Sequence, residues 1–239
     1  MRSIYVGYDP REIAAFEVTV ASIKENLTTY IPVNDICLAE MKAAGLYRRP
    51  TEVRDGRLWD VISDAPCATE FSISRFLTPH LAQWGWALFL DCDMLVRADL
   101  NELFDLCDDR YAVMCVKHAH EPVATRKMDN QIQTRYSRKN WSSAMLVNVN
   151  HPANYRLTVA QINTLPGRDL HRFCWLEDHE IGEIGPEWNW LQGHSSPAIE
   201  PKIVHFTNGT PDMRGYEKQP YADEWWLTLD RHCRDLRRA

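Results

Sequence analysis

The sequence predicts an α/β fold, a single domain on a mixed, mainly parallel sheet flanked by helices. Three observations carry this. Runs of strand length alternate with helical periodicity from end to end, which favours parallel strands joined by crossover helices. The chain opens with a β-rich run, Ser3-Ile4-Tyr5-Val6, a tight turn at Gly7-Tyr8-Asp9-Pro10, and a helical pattern through Ile13, Phe16, Val20, Ile23 and Leu27. The most apolar run, Trp86-Ala87-Leu88-Phe89-Leu90, reads as a strand buried on both faces and ends abruptly at Asp91-Cys92-Asp93.

The other elements follow in order. Asp35 to Leu38 reads as a second strand, residues 46 to 66 as polar and irregular, and Phe71 to Leu81 as a helix leading into the strand at 86 to 90. Leu100 to Leu106 suits a short helix and Tyr111 to Val116 a strand. Residues 117 to 140 are charged and poor in aliphatic side chains, and a loop this long in a compact domain is usually functional or mobile. Ser142 to Val149 reads as a strand and Arg156 to Leu165 as a helix. Residues 175 to 191 crowd acidic groups among aromatics. Ile203 to Phe206 forms the last strand, and Ala222 to Leu236 a C-terminal helix.

At 239 residues, with no Gly/Ser/Pro-rich linker, one domain with a large core is expected: residues 1–116 as a nucleotide-binding half and 117–239 as a half for acceptor and sugar, ending in the C-terminal helix. The formal charge of -6 argues against broad nucleic-acid binding. The 7 cysteines form no C-x-x-C pair and read as reduced thiols. The N-terminus has no signal-peptide core and no stretch of 18 apolar residues occurs. A cytoplasmic protein is expected.

Asp91 and Asp93, two apart, would share a face of a continuing strand, and like charges at the edge of a core call for a cation or a shared proton. With 18 Asp in the chain, about one D-x-D arises by chance, so context decides. Neither glycine-rich phosphate loop occurs, neither G-x-G-x-x-G nor G-x-x-x-x-G-K-[ST], so another group must hold any bound phosphates. Asp9, the Asp91/Asp93 pair and His205 all stand at predicted strand ends. Two carboxylates and an imidazole suit Mn²⁺ or Mg²⁺ with positions left for phosphate oxygens.

In this order along the chain, the motifs resemble those of the GT-A glycosyltransferases, Rossmann-like enzymes, and among them family 8 and its bacterial relatives. Val6-Gly7-Tyr8-Asp9 is similar to the segment that contacts uridine, and Ser74-Arg75-Phe76-Leu77 to the helix whose basic residue reaches the donor. Phe89 to Val96, with Asp91, Cys92 and Asp93, resembles the D-x-D strand, and the strand opening at Ser142 and Ser143 the one lining the sugar pocket. Asp178-His179-Glu180 with Pro186-Glu187-Trp188-Asn189 resembles the acidic motif and the P-x-x-W-N after it. His205-Phe206-Thr207-Asn208-Gly209 resembles the metal and diphosphate motif.

The resemblance implies a metal-dependent transferase that moves a sugar from a nucleotide diphosphate, most often UDP-linked, to a carbohydrate or glycolipid hydroxyl. Asp91, Asp93 and His205 would hold the metal. Tyr8, Asp9, Arg75, Asp91, Cys92, Ser142, Ser143, Asn208 and Gly209 would bind the donor, while Asp178 and His179 would act on the sugar. The resemblance implies retention at the anomeric carbon, with His179 standing where family 8 usually has the Gln thought to sit under that carbon. The family's H-x-x-G-x-x-K-P-W becomes HFTNGTPDM, so Arg214 or Lys218 would meet the diphosphate.

Two other readings remain. D-x-D after an apolar strand is also the nucleophile motif of haloacid-dehalogenase-type phosphohydrolases, although here the motif continues to Leu95 where those have Thr or Val. A catalytically silent nucleotide-sugar-binding protein is the other. Asp178, among Trp175, Trp188 and Trp190, is expected to lose hydration, or else to cap a helix beginning at His179. The C-terminal segment, acidic at Asp223-Glu224 and basic at Arg231, Arg234, Arg237 and Arg238, complements a helix dipole. Its Trp beside Arg also suits peripheral contact with anionic lipid.

Overall fold

The computed structural model describes residues 1–118, 138 and 140–238. The charged stretch 117–140 therefore lies mostly outside the described residues. Twelve strands occur among those described: β1 Arg2–Tyr8, β2 Val33–Cys37, β3 Thr51–Arg54, β4 Arg57–Asp60, β5 Ala65–Pro66, β6 Trp86–Leu90, β7 Met94–Val96, β8 Val113–Cys115, β9 Ala144–Asn148, β10 Ile181–Glu183, β11 Trp190–Leu191 and β12 Ile203–His205. The main sheet has the order β10-β8-β9-β6-β1-β2. Its strands run together except β9, which is antiparallel to both β6 and β8. Both faces of the centre are covered, so Ile4, Val6, Leu88, Phe89 and Leu90 are fully buried, as continuous apolar runs require.

The first helix, α1, spans Ile13–Asn26. Its buried face is Ala15, Val18, Thr19, Ser22 and Ile23, while Ile13 is 51% exposed. The helix is thus rotated from the orientation that its larger apolar residues predict. Small and hydroxylated side chains face inward because they must reach backbone groups of β7.

The stretch 46 to 66 holds an antiparallel three-stranded sheet, β3-β4-β5, where an irregular segment is expected. Its hairpin turns at Asp55 and Gly56, both at positive φ, the conformation that an Asp-Gly two-residue turn demands. Buried Arg49 ties this flap to the body by donating to Asp60 and to the carbonyls of Ile162 and Leu165.

The expected helix at 71 to 81 is only a 3₁₀ turn at Ser74–Leu77 and one α-turn at Thr78–Leu81, restarted at Pro79. The helix expected at 156 to 165 is likewise short, Val159–Ile162, capped reciprocally by Thr158 and Gln161. The C-terminal helix matches its prediction at Ala222–Leu236 and packs on α1 through Trp225 and Thr228, with Arg231 paired to Glu25 at 2.7 Å. No helix among the described residues is long and apolar enough to cross a membrane.

Candidate active site at the carboxyl end of the sheet

The site is made where β6 leaves the main sheet. Asp91 N still donates to Ser143 O at 2.9 Å, one residue beyond the β6–β9 ladder. Then α1 takes the chain. The Thr19 hydroxyl lies 2.6 Å from Cys92 O and 2.7 Å from Met94 O and accepts from Met94 N, while Ser22 Oγ accepts from Val96 N. Steered in this way, β7 joins a second sheet of order β11-β12-β7, in which His205 is register partner to Met94. Phe206 N donates to Asp93 O at 2.9 Å and closes the junction.

One ligand atom each of Asp91, Asp93 and His205 consequently lies within 4.8 Å of the others. Cys92, between the carboxylates, is fully buried, and its thiol donates to Glu12 at 3.1 Å. The strand does not continue through the motif, yet its two carboxylates converge as alternation requires.

Arg75 Nη1 is 2.6 Å from Asp91 Oδ1, and His205 Nε2 is 3.3 Å from Asp93 Oδ1. Both Oδ1 atoms are buried, and each faces one cationic side chain, Arg75 or His205. Burial pushes Asp91 up to about 6 against the pull of Arg75. Burial raises Asp93 too, but His205 outweighs it and holds Asp93 below the usual carboxylate range. For His205, burial acts downward, and Asp93 followed by Asp91 reverses it, leaving the imidazole above its ordinary value. Two buried carboxylate oxygens converging with an imidazole fit a divalent cation.

The remaining expected residues fall into two groups. Around the cluster, Arg75 donates to Ser142 O at 3.0 Å, and Ser142 Oγ lies 2.7 Å from His171 Nδ1. Ser143 Oγ donates to Asn140 O and accepts from Asn189. Both serines are buried, their hydroxyls engaged within the protein. Asp9, expected to meet the donor, is fully buried: Arg11 and the Glu70 amide hold both its oxygens. The group presented beside it is the half-exposed Arg11 guanidinium, and Tyr8 packs edge-on against Phe16. Two groups that the sequence did not single out also lie here. Glu12 is pushed up to about 7 by burial and then by Asp93, and Asn189 meets His205.

Outside the hydrogen-bond network of the cluster, Asn208 is exposed and donates to Gln192, and Gly209 holds φ 152 with the Tyr216 ring where a side chain would go. Arg214 and Lys218 are exposed. Asp178 does not sit dehydrated among tryptophans. Its side chain is 94% exposed and pairs with Arg138, because Trp188 and Trp190 turn into the two cores and Trp175 packs on Phe76 and Phe173. Nor is it a cap: Glu177 takes that place, reciprocated by Glu180, and Asp178 and His179 occupy the 3₁₀ turn that follows.

No family model matches the chain. Protein CDI of Arabidopsis thaliana is 44% identical to it over 238 residues, covering 97% of this chain and 87% of that protein. The chain belongs to the family of Protein CDI. Among solved structures, the galactosyltransferase LgtC, determined with donor and acceptor sugar analogues, matches with a TM-score of 0.59 at 12% identity, covering 96% of this chain and 95% of that one. The glycosyltransferase GlyE of Streptococcus pneumoniae matches with a TM-score of 0.59 at 14% identity, covering 96% of this chain but only 61% of its own. This member of the CDI family therefore has the GT-A fold, with Asp91, Asp93 and His205 gathered at the carboxyl end of its central strand.

Proposed function

We propose that this protein is a metal-dependent glycosyltransferase that moves a sugar from a nucleotide diphosphate, a UDP-sugar, to a hydroxyl of a carbohydrate or glycolipid acceptor, with retention at the anomeric carbon. The observation that carries the reading is the convergence of Asp91, Asp93 and His205, whose ligand atoms all lie within 4.8 Å of one another. Asp91, Asp93 and His205 would hold Mn²⁺ or Mg²⁺, which when bound neutralises the charge developing on a leaving diphosphate. Arg75, buried and next to Asp91, supplies a fixed positive charge on the same side. Asp178 faces the positive charge that builds on the sugar, and His179 offers its ring dipole. Arg138 orients the Asp178 carboxylate and is itself anchored by donating to Arg172 O at 2.6 Å. Asn208 and Gly209 border the phosphates.

The test is thermal stability in a panel of nucleotide sugars with Mn²⁺, with and without chelator, since a ligand that binds only the native state raises the melting temperature. A rise with UDP-sugars that chelator abolishes is expected, and no shift with any of them overturns the reading. Binding without turnover would mark a silent binding protein, and turnover of a generic phosphomonoester a hydrolase. For a glycolipid acceptor, the C-terminal helix is the proposed membrane contact, with Trp226 and Leu227 outward. Liposome co-sedimentation unchanged by removal of residues 231–239 would remove that contact from the proposal.

A further inference from the structure

Asn189 is fully buried, and its hydrogen bonds can be traced without ambiguity of sense. The Ser143 hydroxyl spends its one proton on Asn140 O at 2.8 Å, so toward Asn189, 2.9 Å away, it can only accept. That places the Asn189 NH₂ on Ser143 and leaves Oδ1 facing His205 Nδ1 at 3.1 Å. An amide oxygen is only an acceptor, so His205 must carry a proton on Nδ1. Nε2, on the other side of the ring, is then the nitrogen directed at Asp93. Ser143 also accepts from Asp91 N through its carbonyl, so one residue links the histidine's support to the backbone of the first carboxylate.

We propose that Asn189 is a positioning residue of the metal site: through Ser143 and His205 it fixes the Nδ1–H tautomer and aims Nε2 between Asp91 and Asp93. The inference rests on the metal reading above and adds to it the residue that presets the ligand geometry. Metal-ligating histidines are commonly oriented by an acceptor on the second ring nitrogen, and losing that partner typically costs about 10- to 100-fold in metal affinity. Asn189 reaches this place because Pro186–Asn189 forms a 3₁₀ turn directly before β11, which pairs with β12 and so lies alongside His205.

The test uses the full chain with Mn²⁺ alone as ligand. Calorimetry gives the affinity, and ¹⁵N NMR of the histidine rings in saturating diamagnetic Mg²⁺ gives the tautomer. Wild type is expected to show His205 with its proton on Nδ1, and Asn189→Leu to bind Mn²⁺ about 10- to 100-fold more weakly with that preference lost. Asn189→Asp keeps an acceptor toward Nδ1 and is expected to restore the tautomer and most of the affinity. Ser143→Ala, a small change at the far end of the relay, is the second variant should Asn189→Leu not fold, and is expected to weaken Mn²⁺ binding in the same direction. Unchanged affinity and ring state in Asn189→Leu or Ser143→Ala overturns the inference and leaves the metal reading standing. Absence of Mn²⁺ binding in wild type overturns both.

Discussion

Two acidic motifs in this chain look alike on paper and differ in the fold. Asp91-Cys92-Asp93 and Asp178-His179-Glu180 both place acids two apart in aromatic surroundings. The backbone of the first is held by Ser143 O, the Thr19 hydroxyl and Phe206 N, and its inner oxygens are buried against Arg75 and His205. The second is a surface turn, capped by its own neighbours, with Asp178 in water and answered by Arg138. Desolvation separates them: the Asp91 and Asp93 oxygens are withdrawn from water and crowded together with Arg75 and His205, whereas the Asp178 carboxylate stays in water beside one arginine.

The comparison breaks most directly at the first motif. Asp93→Asn is expected to abolish Mn²⁺ binding in calorimetry and to lower turnover of the cognate UDP-sugar by about 1000-fold, the scale on which removing transition-state charge stabilisation acts. Turnover within tenfold of wild type would show that the cluster carries no metal chemistry. Asp178→Asn is the counterpart. It is expected to lower kcat by about 100-fold, a few kcal/mol of transition-state stabilisation. Because the carboxylate is exposed, stability in urea should change by less than about 1 kcal/mol. Normal kcat would confine Asp178 to the surface turn.

What was legible in the sequence was what rests on local pattern. The strand at 86 to 90 and the helix at 222 to 236 were found to the residue, because apolar run length and charge distribution define them without help. The convergence of Asp91, Asp93 and His205 was also legible, since strand ends in an α/β sheet gather on one side. Asp55-Gly56 is a hairpin signal that the polar character of its flanking strands masks. The strands at 181–183 and 190–191 were not legible: each has two or three residues and exists only through its partner. Asp9 and Asn189 show the same limit from the side of chemistry. A polar residue near a motif can serve substrate or backbone, and only the fold shows that Asp9 clamps Arg11 while Asn189 supports His205.

A milder perturbation sharpens the role of backbone anchoring. Thr19→Val keeps shape but removes the hydroxyl that meets Cys92 O, Met94 O and Met94 N, leaving buried backbone groups unpaired. A loss of about 1–3 kcal/mol in urea unfolding is expected, together with weaker Mn²⁺ binding, since the residues on either side of Asp93 then lose their anchor. A full loss of stability with unchanged Mn²⁺ affinity would mean that His205 and its neighbours hold the motif without α1.

The smallest effect concerns His171, which supports the same corner from behind Arg75. Burial, and then Arg75, take its pKa down to about 3 from 6.5, so it is neutral in the fold and accepts from the Ser142 hydroxyl. Below 6.5 the unfolded chain takes up a proton that the folded chain refuses until about 3. Stability from this group is therefore complete above 6.5 and falls with acidification, by at most about 1.4 kcal/mol per pH unit. His171→Gln retains an acceptor for Ser142 and does not titrate. It is expected to match wild type closely in melting temperature at pH 8 and to lose less stability than wild type between pH 6.5 and 5. Parallel pH profiles for the two proteins would show that His171 is protonated in the fold, and that Arg75 is held by Ser142 and Asp91 without a neutral imidazole behind it.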